Sequence, residues 1–434
     1  MGSPCHAGWT HQTVSAERTS VKILIYSANF APEPTGIGKY SGEMAEWLVS
    51  QGHEVRVVAA PPYYPDWKIA EGHAWPPYRQ EIWKGARVWR APLWVPSKPS
   101  GLKRILHLLT FAASSLPVML RQVGWRPDVV LTVAPAFVCA PTGWLTARLS
   151  GAQAWLHVQD FEIDVAFKMG LMEGRGARQA LLWLERHMLR RFDVVSSISM
   201  RMVERLRHKG VDRDCIRHFP NWVDVDKVRP LGHVSAYREE LGIPQDATVV
   251  LFSGTLGSKQ GLMMIPEAAR LLAHRSDLQF VVCGDGVMKP QLEAACADLG
   301  NVRLLPLQPV ERLGELLGLA DIHLLPQCPE AEDLVLPSKL SGMLSSGRPV
   351  VATCREGTEM AHVVSRCGIV VPPDDKVALA GAIESLANRP DARHELGLLA
   401  RRFAEDHLAQ KSVLSKWIQQ LDELLAPEPI TIDS

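Results

Sequence analysis

The sequence predicts two α/β domains, each built on a parallel sheet flanked by helices. The chain has 434 residues, too many for one compact core and suited to two. Short apolar runs of strand length alternate with longer amphipathic runs through both halves. Each half also opens with a strand that runs into a glycine-bearing turn and then a helix, at Gly36 and Gly38 and again at Gly254 and Gly257.

Composition narrows the class. Lys+Arg and Asp+Glu are both 47, so no global basic field points to nucleic acid. Apolar residues make up 47%, as in ordinary globular proteins. The 8 cysteines are scattered without metal-ligand spacing and read as free thiols of a reducing compartment. Residues 1–20 are polar, lack the apolar core of a signal peptide, and are expected to be a disordered extension. No run reaches the 18 or so apolar residues of a spanning helix, which predicts a cytoplasmic chain.

In the first half, residues 21–27 form a buried strand, 29–40 a loop, about 40–51 a helix, and 54–60 a second strand. This is a βαβ opening without the Gly-x-Gly-x-x-Gly fingerprint, because position 41 is serine. Residues 101–121 are amphipathic, with Lys103, Arg104 and Arg121 flanking Ile105, Leu106, Leu108, Leu109 and Phe111. Two readings fit them: a core helix, or a helix touching a membrane surface. Strands follow at 127–133 and 151–160, the second ending with His157 and Asp160 where open sheets feed a ligand crevice. A strand-end histidine fits a structural role as well as a ligand-facing one. A helix over about 175–190, a strand at 192–199 and the segment Pro220–Asp224 bring the chain to a domain boundary near 225.

The second half opens with a strand from Thr248 into Gly254-Thr-Leu-Gly-Ser-Lys259 and a helix over about 262–274. The glycines free the backbone and Lys259 supplies a point charge for phosphate, although a plain turn with a surface lysine also fits. Residues 278–286 read as strand plus turn, 302–309 as a strand leading to a loop, 321–326 lead into the central stretch, and residues 378–425 are helical, with an apolar stripe of Leu414, Trp417, Ile418, Leu421 and Leu425.

The stretch 332–353 organises the rest. A loop ends at Pro337, Ser338 is expected to cap a helix, and the strand Pro349–Thr353 follows the turn at Gly347. Unpaired amides of the first turn, the positive end of the helix dipole and Lys339 together suit a diphosphate. An ordinary αβ unit with a capped helix uses the same residues.

This stretch, together with the glycine turns, His157, Pro220-Asn221, Gly284-Asp285-Gly286 and Gly347-x-Pro349, resembles the retaining family 4 glycosyltransferases of GT-B architecture, and within them the colanic acid biosynthesis subgroup. The resemblance covers about residues 21–425. It implies an N-terminal acceptor-side domain over 21–225, a C-terminal nucleotide-sugar domain over 226–400, and a final segment, 401–434, whose helix packs back on the first domain. It places Gly36, Gly38, Gly254, Gly257, Lys259, Pro337, Ser338 and Lys339 around the donor, and His157 at the sugar. The family's two glutamates would fall at Leu334 and Gly342, so Glu330, Glu332 and Asp333 are expected to take over the sugar contact, with Glu332 and Asp333 as the catalytic carboxylates.

The implied reaction moves a hexose from GDP-fucose, or another GDP- or UDP-hexose, to a lipid-linked saccharide of bacterial exopolysaccharide. The implied stereochemistry is retention, with no cofactor beyond the donor. No Asp-x-Asp motif stands near a phosphate loop, so no metal is assigned. The lipid-linked acceptor suggests peripheral contact with the inner membrane surface. A nucleotide-sugar 2-epimerase of the same fold and a non-catalytic binder remain the rival readings.

Overall fold

The computed structural model describes residues 20–34, 36–97, 101–134, 137–161, 175–328 and 337–426. It contains two sheets of eight and six strands. In the first domain these are β1 (Lys22–Ser27), β2 (Glu54–Ala59), β3 (Arg79–Trp83), β4 (Ala86–Arg90), β5 (Val129–Ala134), β6 (Gln153–Val158), β7 (Val194–Ser197) and β8 (Ile216–His218). Their order is β3-β4-β2-β1-β5-β6-β7-β8, parallel except for β3, which pairs antiparallel with β4 at the edge. The central strands read as unbroken apolar runs because helices cover both faces, and every residue of β5 is buried.

The second sheet comprises β9 (Thr248–Ser253), β10 (Leu278–Cys283), β11 (Val302–Leu305), β12 (Ile322–Pro326), β13 (Val350–Thr353) and β14 (Gly368–Val371). Its order is β11-β10-β9-β12-β13-β14, parallel throughout. Strand order reverses between β9 and β12, so the turns after these strands border the crevice where open sheets take ligands.

The chain crosses between domains twice. Val223 N–H donates to Leu408 O at 2.8 Å and Gln410 N–H donates to Val223 O at 3.0 Å, so the crossings are hydrogen-bonded to each other. Helix Gln410–Leu425 then returns to the first domain, where Val413, Leu414, Trp417 and Leu421 join the core beneath β1 and β6. The Trp417 ring centroid lies 5.1 Å from that of Trp155. Burying an apolar stripe with an aromatic at its centre is what holds a terminal helix in place.

Helix Gly101–Gln122 has one buried face and one exposed face. Its inner face buries His107, Phe111, Ser115, Val118 and Met119 in the core. Its outer face exposes Leu106, Leu109, Leu116 and Leu120, with Lys103 and Arg104 exposed at its start. Among the described residues no helix is long and apolar enough to cross a membrane. The 7 described cysteines are free thiols.

Candidate functional site

The second-domain side of the site is a pair of interlocked turns. Beyond β9, Gly254 N–H donates to Cys283 O at 2.9 Å and Leu256 N–H to Asp285 O at 2.8 Å. Glycine at 284 is what permits this approach, since a Cβ there would stand 1.9 Å from Gly254 O. Gly257 is under no such demand, because a Cβ would meet only Gln260 Cγ at 3.7 Å. Lys259 lies in the short 3₁₀ turn Ser258–Gln260, and its side chain is outside the described residues.

Helix Ser338–Ser345 begins beside these turns. Ser338 is its first helical residue and not its cap, contrary to the serine-cap expectation. Pro337 takes the cap position with φ −57° and ψ 127° and forms no side-chain cap bond. A proline cap offers no side-chain acceptor, so the amides of Ser338 and Lys339 have no partner among the described residues. Those amides are free for an anion.

Lys339 folds from this first turn toward β9. Its ammonium donates to Gln260 Oε1, lies 4.3 Å from the Phe252 ring centroid, and would stand 3.2 Å from a Cβ at Gly254. Burial pulls its pKa down to about 8. Gly254, Gln260, Lys339 and two open amides therefore converge on one place, which fits a diphosphate. The acidic residues Glu330, Glu332 and Asp333 lie outside the described residues.

Across the cleft, helix Gly36–Ser50 begins four residues before the expected Tyr40, so Gly36 and Gly38 form its first turn and are not loop residues. Gly36 has φ +61° and nothing within 4 Å of a built Cβ. Gly38 is closed in, since a Cβ would stand 2.5 Å from Glu33 Oε2. The buried Glu33 carboxylate accepts the Tyr63 and Tyr64 amides at 3.1 Å each and Asn29 Nδ2 at 2.9 Å. Burial raises its pKa, with the Tyr63 amide bond the first of the opposing influences. The glycine at 38 thus serves this internal carboxylate. The first turns of the two helices face each other across the cleft, with the buried Tyr40 hydroxyl near Ser341 of the second-domain helix.

His157 sits at the end of β6, buried, with Nδ1 2.9 Å from Ser196 Oγ and its ring 4.8 Å from that of Phe219 at the first crossing. Burial, then the nearby His218, pushes its pKa down to about 3, so it is neutral at physiological pH. Asp160 does not share this pocket; it is exposed and accepts the Phe161 amide at 2.8 Å. Glu359 of the second domain reaches the Met200 and Arg201 amides at 3.4 and 3.3 Å, beside a cavity of about 820 Å³ between the domains. Gln260, Ser196 and Glu359 escaped the sequence reading because each acts on a partner distant in the chain, and Glu33 because the amides that hold it are 30 residues away.

Two family models match in sequence order: a glycosyl transferase 4-like domain over residues 35–222 and a glycosyl transferases group 1 domain over 247–389. The chain is 40% identical over 412 residues to a protein named as a colanic acid biosynthesis glycosyl transferase, WcaI, of Escherichia coli (strain K12), covering 92% of this chain and the whole of that one. Sucrose-phosphate synthase from Thermosynechococcus elongatus superposes with a TM-score of 0.69 at 18% identity, covering 93% of this chain and 99% of that one. Anabaena Alr3699/HepE in complex with UDP and glucose superposes with a TM-score of 0.65 at 15% identity, with 93% and 99% covered. Full-length identity to WcaI, the paired domain models and the GT-B architecture together make this chain a glycosyltransferase of family 4, of the colanic acid biosynthesis type.

Proposed function

We propose that the protein transfers a hexose from a nucleotide diphosphate sugar, GDP-fucose being the first candidate, to a lipid-linked saccharide, with retention and without a metal. The observation that carries the donor side is Lys339 beside Gly254 and the open amides of Ser338 and Lys339. The complex of the Anabaena neighbour with UDP and glucose supports the same reading for this cleft. As the glycosidic bond breaks, the leaving nucleoside diphosphate gains charge, and amides and an ammonium already aimed at it lower the barrier. The acceptor hydroxyl attacks on the face that the diphosphate leaves, and its proton passes to a donor phosphate oxygen. No protein nucleophile is required. Glu330, Glu332 and Asp333 are proposed to hold the donor hydroxyls.

A lipid-linked acceptor requires the enzyme to meet a membrane surface. Helix Gly101–Gln122 supports peripheral contact, since its four exposed leucines form one stripe with Lys103 and Arg104 at its end. The decisive experiment is incubation with GDP-fucose, GDP-mannose or UDP-glucose and a lipid-pyrophosphate saccharide. The expected result is acceptor-dependent release of nucleoside diphosphate and an α-linked product from an α-configured donor (β from β-configured GDP-fucose), unaffected by EDTA. Release of a free epimerised sugar nucleotide without acceptor, or no turnover with any donor, overturns the reading.

A further inference from the structure

The neutral His157 ring has two possible tautomers, and its surroundings choose between them. Parallel pairing of β6 with β7 sets His157 opposite Ser196 and leaves Trp155 on the same face of β6, two residues back. Ser196 is fully buried, and its Oγ has two side-chain partners: Trp155 Nε1 at 2.8 Å and His157 Nδ1 at 2.9 Å.

An indole N–H is only ever a donor, so Ser196 Oγ accepts from Trp155. The hydroxyl proton then needs an acceptor, and His157 Nδ1 is the one in place. The opposite arrangement, with the proton on Nδ1, would make Ser196 accept twice and strand its own O–H in a dry site. The Ser196 backbone pulls the other way, as it too interacts with the His157 ring. That interaction does not reach hydrogen-bond geometry, whereas the Nδ1 to Oγ contact does. A proton on Nε2 therefore satisfies Trp155 Nε1, Ser196 Oγ and His157 Nδ1 together. Among the described residues Nε2 itself has no hydrogen-bond partner.

We infer that Ser196, anchored by Trp155, is a positioning residue that fixes His157 as the Nε2–H tautomer, so that the histidine presents a hydrogen-bond donor to an oxygen of the donor sugar. This rests on the glycosyl-transfer reading only for the identity of the oxygen that His157 meets. Ser196 and Trp155 touch no substrate. They determine which way the proton on His157 points.

The test is a long-range proton–nitrogen spectrum of the whole protein labelled with ¹⁵N-histidine, with the His157 signals assigned by their loss in His157→Gln. The expected wild-type pattern has the proton on Nε2 and an acceptor-type Nδ1 at neutral pH. Ser196→Ala should redistribute the proton toward Nδ1 and lower kcat by about tenfold with little change in donor KM. Ser196→Thr, which keeps the hydroxyl, should retain both the pattern and the rate. A wild-type spectrum with the proton on Nδ1, or an imidazolium at neutral pH, overturns the inference and needs no variant to fold. An Ser196→Ala spectrum identical to wild type overturns it as well. Failure of the transferase reading is a separate observation, the absence of wild-type turnover with every donor, and leaves the spectrum to decide the tautomer.

Discussion

The Lys339 ammonium lies 4.3 Å from the centroid of the Phe252 ring, covered by the strand end it is expected to work beside. Burial holds its pKa at about 8, low for a lysine, while a bound diphosphate favours the charged form and raises it. Between about pH 7, where the terminal phosphate is already ionised, and about pH 8, nucleoside diphosphate affinity is therefore expected to hold steady, and to fall above it as the free protein loses the proton. Calorimetry across that range checks the sign, and Lys339→Met should remove the steep part. At neutral pH, Lys339→Ala should weaken binding by roughly 1.5–3 kcal/mol, the worth of a charged hydrogen bond.

Gly38 and Gly36 should respond differently to alanine. At Gly38 the new Cβ would meet Glu33 Oε2 at 2.5 Å and Glu33 Cβ at 2.6 Å, so the carboxylate must leave its amides. The expected cost is about 1–3 kcal/mol for overpacking. Gly36→Ala meets open space and carries only the strain of a left-handed backbone, about 1–2 kcal/mol. Thermal denaturation ranks the two, and Glu33→Ala should relieve most of the clash in Gly38→Ala. Equal behaviour of both glycines with and without Glu33 would refute the packing account.

His157 and His323 are both buried with pKa values pushed down to about 3, burial being the main cause in each. The unfolded chain binds protons at these histidines below about pH 6.5, while the folded chain stays neutral. Stability is thus fully present above that value and declines on acidification toward pH 3, by about 1.4 kcal/mol per pH unit for each histidine. Denaturant titrations at a series of pH values measure this slope, and His157→Gln should reduce it.

Much of the fold was readable because its strands carry their evidence locally. The run Val129–Ala134 is apolar throughout, as a strand covered on both faces must be. The start of the first helix was misplaced because Gly36 and Gly38 look like a loop until Glu33 is seen above the second of them. Ser338 was misread as a cap because serine favours that position, yet Pro337 occupies it. Lys339 was found from its place in a motif, but its partner Gln260 lies 79 residues away and emerges only when β9 and β12 pair. Ser196 needed the strand register to bring it to His157, and no local pattern encodes that register.

The exposed stripe on helix Gly101–Gln122 gives a direct measurement. Flotation with phosphatidylglycerol vesicles should carry the wild-type protein upward at low salt and release it at high salt. Lys103→Glu with Arg104→Glu should weaken the association, each basic residue contributing about 1 kcal/mol near such a surface. If wild type and variant both remain in the soluble fraction, the leucines at 106, 109, 116 and 120 have another purpose.

The paired crossings at Val223 and at Leu408–Gln410 constrain how the cleft can open. Two chain segments joined by backbone bonds of 2.8 and 3.0 Å form a narrow ribbon between the domains. Such a ribbon resists sliding and twisting, because either motion shears its hydrogen bonds, and it yields most readily to bending. Bending about that line would alter the spacing between Lys339 and His157, which sit in different domains. The terminal helix packs into the core of the first domain while its connection is made in the ribbon, so a break at residue 409 would uncouple that core element from one leaf of the ribbon.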